Sequence, residues 1–195
     1  MTDSARPAEY PSPVLMLNKP KGYVVSRSDE HGRKTVYSLL PDWVFEDEWM
    51  PVGRLDLDSK GLLLFTRNSK MNDQLSRPRS SHKIYEVWVR GHVTPEHLKQ
   101  CLRGIATSEG TLKAVHVEIT GGVGAKTKLE VELDEGKNRH IRRMFGALKD
   151  PKFKTPLKVL ELKRIQVGGL KLDVESGKWR FLTKEEAFLL HANQK

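Results

Sequence analysis

The stretch "PVGRLDLDSKGLLLF" (Pro51–Phe65) places three charged side chains directly before an apolar run. Arg54, Asp56 and Asp58 come first, and residues 62–65 (Leu-Leu-Leu-Phe) then have the composition of a buried strand. A charge at the border of a core is costly to bury unless it is paired. The stretch therefore predicts a core strand that is entered through a charged loop, and it marks that loop as a candidate functional site.

The composition predicts a folded, basic protein. The 195 residues are 37% hydrophobic and 30% charged, which suffices for one globular domain or for two small lobes that share a core. Lysine and arginine number 34 against 25 acidic residues, which gives a net charge of +9. An excess of this size favours a polyanionic partner, most often nucleic acid. The alternative is a basic protein that has no such partner.

The cysteine content and the hydropathy bear on the compartment. Cys101 is the single cysteine, so the fold cannot depend on an internal disulfide. Its spacing from Leu98, Leu102 and Ile105 places it on the apolar stripe of a helix rather than in a reactive site. The sequence has neither an apolar run of the roughly 18 residues that a membrane span needs nor a signal peptide. We therefore expect a cytoplasmic protein without membrane contact, and a loose tail over residues 1–13.

The hydrophobic periodicity predicts strands and helices that do not alternate strictly. In "KIYEVWVRG" and "TKLEVELDEG" every second residue is apolar, as in antiparallel strands with one buried face. This pattern predicts an α+β fold with a mainly antiparallel sheet and helices packed on its faces. Further strands are expected at residues 14–17, 62–65, 158–167 and 170–174, and helices within residues 34–43, 68–78, 94–105 and 139–148 and after the capping box that begins at Thr183.

The segment "DEGKNRHIRRMFGAL" combines a helical apolar stripe with three arginines. At 100° per residue, Arg139 and Arg143 point away from the stripe, whereas Arg142 lies on its flank. The charges of Arg142 and Asp56 would each be costly at the edge of a core, and together they could form a bidentate ion pair. The alternative is two independent surface charges. The stripe consists of Ile141, Met144, Phe145 and Leu148.

Metal and nucleotide sites have weak sequence support. The seven histidines are scattered, and the spacing of a zinc site is absent. Asp56 and Asp58 could contribute to a Mg²⁺ site, but no further oxygen ligands can be assigned to it. "GGVGAK" (residues 121–126) lacks the spacing of a phosphate-binding loop and is typical of a turn.

The chain resembles the RsuA/RluB/RluE/RluF group of ribosomal RNA pseudouridine synthases. The resemblance is carried by three segments in this order, "GRLDLDSKGLLLF", "KIYEVWVRG" and "EGKNRHIRRMF", which are preceded by "LNKPKGY". The resemblance spans roughly residues 14–190. It implies a pseudouridine synthase fold, with a mixed, mainly antiparallel central sheet, flanking helices and a catalytic cleft between lobes of residues 14–80 and 81–190. Most of the group carry an N-terminal S4 module. Only about 13 residues precede Val14 here, so we expect no S4 domain and a likeness to the RluE type, whose members act on large-subunit RNA.

The resemblance also implies roles for four residues. Asp56 is the catalytic carboxylate, either as a nucleophile at C1′ or as a base at C2′ of the target uridine. Tyr85 stacks on the uracil, Arg142 pairs with Asp56, and Arg54 enters the space that the flipped nucleotide leaves. No metal or cofactor is required. Lys60 stands where many relatives have a small polar residue.

The expected function is the isomerisation of one uridine of ribosomal RNA, with 23S RNA as the expected target and a monomer as the expected state. From the charge pattern we expect four basic residues to contact RNA phosphates rather than bases: Lys19, Lys21, Arg139 and Arg143. Two alternatives are an RNA-binding ribosome assembly factor without catalysis, which would not need Asp56, and a metal-dependent nuclease that uses Asp56 and Asp58.

Overall fold

The computed structural model describes residues 5–190, which form two compact units. The first unit contains the described residues up to Ser81 and those from Gln166 onward, and the second contains His82–Ile165. The strands are β1 (Val14–Lys19), β2 (Met50–Val52), β3 (Lys60–Thr66), β4 (Lys83–Arg90), β5 (Ile105–Thr107), β6 (Gly110–Leu112), β7 (His116–Val123), β8 (Lys126–Leu133), β9 (Lys158–Val167), β10 (Leu170–Lys171) and β11 (Trp179–Phe181). The helices are α1 (Asp42–Glu46), α2 (Ser69–Ser76), α3 (Pro95–Arg103), α4 (His140–Gly146) and α5 (Lys184–Leu189), with a 3-10 helix at Val36–Leu39.

The first unit is built around β1 and β3, whose residues are almost all buried. β1 pairs antiparallel with β3 on one side and with β11 on the other, and β2 pairs with β3. Buried Met16 and Leu64, which are register partners, lie in one apolar cluster, whereas Phe65 meets the ring of Tyr37 edge to face. Both faces of these strands are therefore covered, which explains why they have continuous apolar runs rather than alternation. The predicted strand at residues 62–65 is confirmed.

The C-terminal part of the chain packs differently from our expectation. The sequence analysis placed residues 166–190 in the second lobe, but they belong to the first unit. The reason is strand pairing, because β11 adds to β1 with Leu15 opposite Phe181. At the end of this segment, Thr183 and Glu186 form the predicted capping box of α5.

The predicted loose tail is also wrong for residues 5–13. Tyr10 packs against the rings of Trp43 and Trp49, and its hydroxyl donates to Asp47. Ser12 is buried as well. An aromatic ring that finds such a cluster buries a large apolar area, which offsets the entropy lost by ordering a proline-rich segment. Residues 1–4 of the expected tail lie outside the described residues.

The second unit is an antiparallel sheet with one buried face. β8 lies between β4 and β7, with Lys83 opposite Leu133 and Arg90 opposite Lys126, and β9 is the other neighbour of β4. Alternate residues of β4 are buried, as the periodicity predicted. The α+β class and the mainly antiparallel pairing are thus confirmed.

Two predicted helices are shorter in the structure. The segment at residues 34–43 forms a 3-10 turn, and α1 starts after Pro41. α4 begins at His140 rather than Arg139, because Arg139 has a left-handed backbone conformation (φ 47°, ψ 33°). Within residues 5–190, no helix has the length and apolarity to cross a membrane.

Candidate active site

Asp56 lies in the loop that joins β2 to β3 in the first unit. The neighbouring Leu55 is buried and anchors the loop, while Asp56 is half-buried and Arg54 is exposed. The backbone N–H of Ser59 donates to the carbonyl of Asp56 (3.0 Å), which closes a turn, and Gly22 N–H donates to the Leu57 carbonyl (2.8 Å). The loop therefore has a defined backbone and presents an aspartate at the border of the core, as the sequence predicted.

Lys19 corrects one of our expectations. We expected it in a loop against RNA phosphates, but it is the last residue of β1 and has no exposed surface. Its Nζ donates to the carbonyl oxygens of Ser59 (2.8 Å), Asp56 (3.0 Å) and Pro20 (3.1 Å). A buried ammonium needs such oxygens to replace its hydration. Lys19 thus holds the backbone of the Asp56 loop and cannot reach a phosphate.

Three further predicted residues of the first unit are exposed. Lys21 lies in the turn after β1, where its ammonium is open to solvent, and Arg54 and Asp58 lie on either side of Asp56. These positions are compatible with contacts to RNA, which stay predictions for Lys21 and Arg54. The sequence signal for all three was their place in loops next to apolar strands.

Tyr85 lies on the buried face of β4 in the second unit, opposite Val131 of β8. Its side chain is only 8% exposed. A base that stacks on this ring must therefore enter the unit's apolar surface. Such a position would exclude water from the contact and strengthen polar interactions next to it.

Arg142 lies on α4, at the edge of its apolar stripe, as predicted. The stripe residues Ile141, Met144 and Phe145 are buried, while Arg142 is half-buried. The Arg142 Nη1 donates to the carbonyl oxygen of Val159 at the start of β9 (3.2 Å). This bond fixes part of the guanidinium, which is a planar group with five donors and can hold further acceptors in fixed directions.

The two outer arginines of this helix differ from each other. Arg139 precedes α4 and is exposed, and its contact with an RNA phosphate stays a prediction. Arg143 is only 19% exposed, and it donates to Thr107 Oγ1 (2.8 Å) and pairs with Glu109 (3.0 Å). Arg143 thus faces away from the apolar stripe, as predicted, but its charge is paired within the second unit, and its contact with an RNA phosphate stays a prediction.

The sequence reasoning missed Lys83. It lies two residues before Tyr85 on β4, so the two side chains share one face of the sheet. The pKa of Lys83 is lowered from 10.5 to about 8, chiefly by burial and also by the charge of Arg164, while Asp134 opposes the shift. An amine with such a pKa is a candidate for a functional role. The available signal was a lysine that begins a strand with an apolar face.

Groups of three or more histidine, cysteine, aspartate or glutamate side chains that could hold a metal ion do not occur in the described part of the chain. The first unit offers a carboxylate on a fixed loop. The second unit, taken by itself, offers a nearly buried aromatic ring, an amine of lowered pKa and an oriented guanidinium. These are groups that suit acid–base or nucleophilic chemistry on an aromatic, polar substrate.

A family model described as RNA pseudouridylate synthase matches residues 13–147. The chain belongs to this family.

Relatives and a solved structure support the assignment. Over 82% of this chain, it is 36% identical to the Ribosomal large subunit pseudouridine synthase B of Haemophilus influenzae, and the match covers 43% of that protein. It is 35% identical, over 88% of its length, to an uncharacterised RNA pseudouridine synthase of Aquifex aeolicus, of which the match covers 67%. A crystal structure of a pseudouridylate synthase superposes with a TM-score of 0.78 at 28% identity and covers 91% of this chain and 73% of that one.

The predicted likeness to the RsuA/RluB type is thereby confirmed, while the comparisons do not distinguish the RluE type from it. The chain spans less than half the length of the Haemophilus relative. The roles of individual residues stay predictions.

Proposed function

We propose that this protein converts a uridine of large-subunit ribosomal RNA to pseudouridine. Family membership and the names of the relatives support the reaction and the class of RNA. The observation that carries the proposal for this chain is the Asp56 loop, in which a half-buried carboxylate stands on a backbone anchored by a buried lysine. A structural aspartate would not need this degree of fixation, whereas a catalytic group has to be held within a fraction of an ångström.

In the proposed reaction the target nucleotide first leaves the RNA helix, because its base cannot be rearranged while it is stacked. Arg54, which is exposed beside Asp56, would occupy the space that the nucleotide leaves. The uracil would stack on Tyr85, whose aromatic face offers a contact that holds the base after it is detached.

The chemical step breaks the bond between N1 and C1′ and forms a bond between C5 and C1′. Asp56 would act either as a nucleophile at C1′ or as a base at C2′, and both roles remain open. Joining the ribose to C5 expels the C5 hydrogen as a proton, and N1 gains a proton, so the product is an isomer of the substrate. Neither the cleavage of the N1–C1′ bond nor the formation of the C5–C1′ bond needs an oxidant, a metal ion or a cofactor.

The proposal pairs Arg142 with Asp56 during the reaction. A guanidinium beside the carboxylate would keep it ionised and would orient it through two parallel hydrogen bonds. Arg142 already has one donor committed to Val159, which limits its rotation. The remaining positive charge, at exposed Lys21 and Arg139, would bind the RNA backbone.

The decisive test is Asp56→Asn, with the release of tritium from ribosomal RNA labelled at C5 of uridine as the assay. The amide keeps the size of the carboxylate but is neither a nucleophile nor a base, so we expect tritium release to disappear while RNA binding persists. Asp58→Asn, two residues away and exposed, is the matched control and should retain activity. Comparable release by Asp56→Asn and the unaltered protein would remove Asp56 from the mechanism. RNA binding without any release by the unaltered protein would favour the non-catalytic assembly factor.

The target can be found by mapping pseudouridines in ribosomal RNA from cells that lack the gene, with carbodiimide modification and primer extension. A single missing site, restored by the gene but not by its Asp56→Asn variant, is the expected result. The cytoplasmic location and the monomeric state predicted from the sequence belong to the same proposal, and size-exclusion chromatography tests the latter.

A further inference from the structure

An exposed aromatic ring stands in a basic loop of the second unit, between α4 and β9. The Phe153 side chain is 55% exposed. Its ring lies 5.9 Å from that of His92, with 36° between the planes, and Lys152 Nζ is 5.3 Å from its centre. An aromatic ring that is more than half exposed and has a cation beside it is a typical contact for a nucleic acid base.

The loop that carries Phe153 is firmly built. Asp150 is buried, and its carboxylate accepts hydrogen bonds from the backbone N–H groups of His92 (2.6 Å), Lys152 (2.7 Å) and Phe153 (2.9 Å), and lies 3.0 Å from His92 Nδ1. These bonds hold the pKa of Asp150 well below its ordinary value. The Asp150 carboxylate thus has its hydrogen-bond partners within the second unit, and the order of the loop fixes the position of Phe153.

An open cavity of about 700 Å³ adjoins the ring, with a volume in the range of small-ligand sites. Its floor is closely packed, because Gly91, with φ +118°, lets Leu157 and Asp150 approach where a Cβ would collide with the Leu157 side chain. Arg90 and Lys158 are exposed at its rim. Among the residues found to line it, Asp150 is the only acid.

The surroundings increase the positive charge. Lys126 is the register partner of Arg90, and Lys149, Lys152 and Lys154 are exposed in the loop itself. These cations outnumber the single carboxylate, that of Asp150, so the surface attracts a polyanion and would repel a basic peptide. The aromatic ring and the cations together favour single-stranded RNA over an acidic protein, since a carboxylate would leave the ring unused.

We propose that this surface, formed by Phe153, Arg90, Lys152 and Lys158 and called here the Phe153 surface, binds an unstacked nucleotide of RNA. The base would stack on Phe153, and its phosphates would lie against Arg90 and Lys158. The inference rests on the proposed function in one respect, namely that the RNA belongs to the substrate. Arg90 is five residues from Tyr85 along β4, about 17 Å, and the odd separation places the two side chains on opposite faces of the sheet. The surface would therefore hold RNA that passes the end of the strand and leads away from the target uridine.

The test measures binding of a fluorescent twelve-nucleotide oligouridylate to the full chain by anisotropy. Losing the stacking of one base weakens the affinity for the oligonucleotide roughly tenfold, and we expect this loss for Phe153→Ala. Phe153→Trp should bind as well as the unaltered protein. Phe188→Ala is the matched control, because Phe188 is even more exposed (78%) but follows Glu185 and Glu186 on α5, and its affinity should not change.

The salt dependence tests the phosphate contacts. Lys158→Gln should reduce the slope of log affinity against log salt by about 0.7, the value for one phosphate of a single strand. Lys184→Gln, an exposed lysine beside the same two glutamates, should leave the slope unchanged.

A photocrosslink identifies the contact directly. An oligouridylate with one iodouridine should crosslink to Phe153, as located by mass spectrometry of the digested protein. Unchanged affinity of Phe153→Ala together with crosslinks elsewhere would overturn the Phe153 surface and leave the proposed function intact if tritium release persists. Weak binding by Phe153→Ala in a protein that releases no tritium would support the surface and remove the proposed function instead.

Discussion

Replacing Lys19 by Met tests whether the buried ammonium holds the Asp56 loop. The substitution keeps an unbranched side chain of similar length and removes the ammonium that donates to the carbonyl oxygens of Ser59, Asp56 and Pro20. The bond to Ser59 is buried and the other two are partly buried. Water can therefore replace the ammonium at two of the carbonyls more readily than at the third.

The expected loss of stability follows from these contacts. A hydrogen bond that involves a charged group contributes about 1.5–3 kcal/mol, and a buried carbonyl left without a donor costs about 1–3 kcal/mol. The three bonds are not additive, and burying the ammonium itself is unfavourable, which offsets part of the sum. We expect the free energy of unfolding to fall by about 2–4 kcal/mol, since the Ser59 carbonyl loses its donor fully and the others in part. For a chain of this size, the melting temperature should fall by roughly 4–16 °C.

The measurement combines guanidinium unfolding, followed by tryptophan fluorescence, with tritium release from C5-labelled ribosomal RNA. Buried Trp43 and Trp49 report on the first unit, which contains Lys19. Activity should fall more than the folded fraction does, because the carbonyl of Asp56 loses its anchor. Lys21→Met is the matched control at an exposed lysine and should keep the stability of the unaltered protein. A Lys19→Met variant with unchanged unfolding and unchanged tritium release would refute the anchoring role.

Three further perturbations have defined expected results. Tyr85→Ala should lose most tritium release while Tyr85→Phe keeps the stacking face and retains more of it, and a Tyr85→Ala rate equal to that of the unaltered protein would contradict the stacking role. Lys83, with its pKa lowered to about 8, chiefly by burial, should be acylated at pH 8 ahead of ordinary lysines, as peptide mass spectrometry would detect. The unfolded chain keeps the Lys83 proton up to about pH 10.5, so this group should make the free energy of unfolding rise with pH between 8 and 10.5. Lys83→Gln should remove that rise. Cys101 is buried, which raises its pKa to about 12. Iodoacetamide should therefore leave Cys101 unmodified in the folded protein at pH 8 and modify it after denaturation. Fast labelling of the folded protein would show that the helix does not bury this thiol.

Much of the fold could be predicted because local patterns and tertiary burial agree. In β4 and β8 the period of two in the sequence coincides with one buried face, and in α3 Cys101 is buried, as its place on the apolar stripe predicted. The segment of residues 166–190 was misplaced because strand partners distant in sequence are not encoded in any local pattern. Tyr10 was missed for the same reason, since its aromatic partners lie more than 30 residues away.

The candidate site shows the same limit for single side chains. The loop of Asp56 was visible as charges beside an apolar strand, and the flank position of Arg142 followed from helical geometry. The burial of Lys19 was not visible, because "LNKPKGY" reads as a strand followed by a charged turn whichever way the lysine points. Its burial depends on the carbonyl oxygens of Asp56 and Ser59, about 40 residues further on, in addition to that of Pro20.

The positive charge of the chain is therefore less available to RNA than the composition suggests. Lys19 is buried on carbonyl oxygens, and Arg143 is paired with Glu109, so neither contributes freely to phosphate binding. The exposed cations near Phe153 outnumber the one carboxylate among them, that of Asp150, so this surface keeps a net positive charge toward a polyanion. Since screening acts mainly on exposed charges, the salt dependence of RNA binding should arise from such exposed clusters, and the internal cations should govern stability instead.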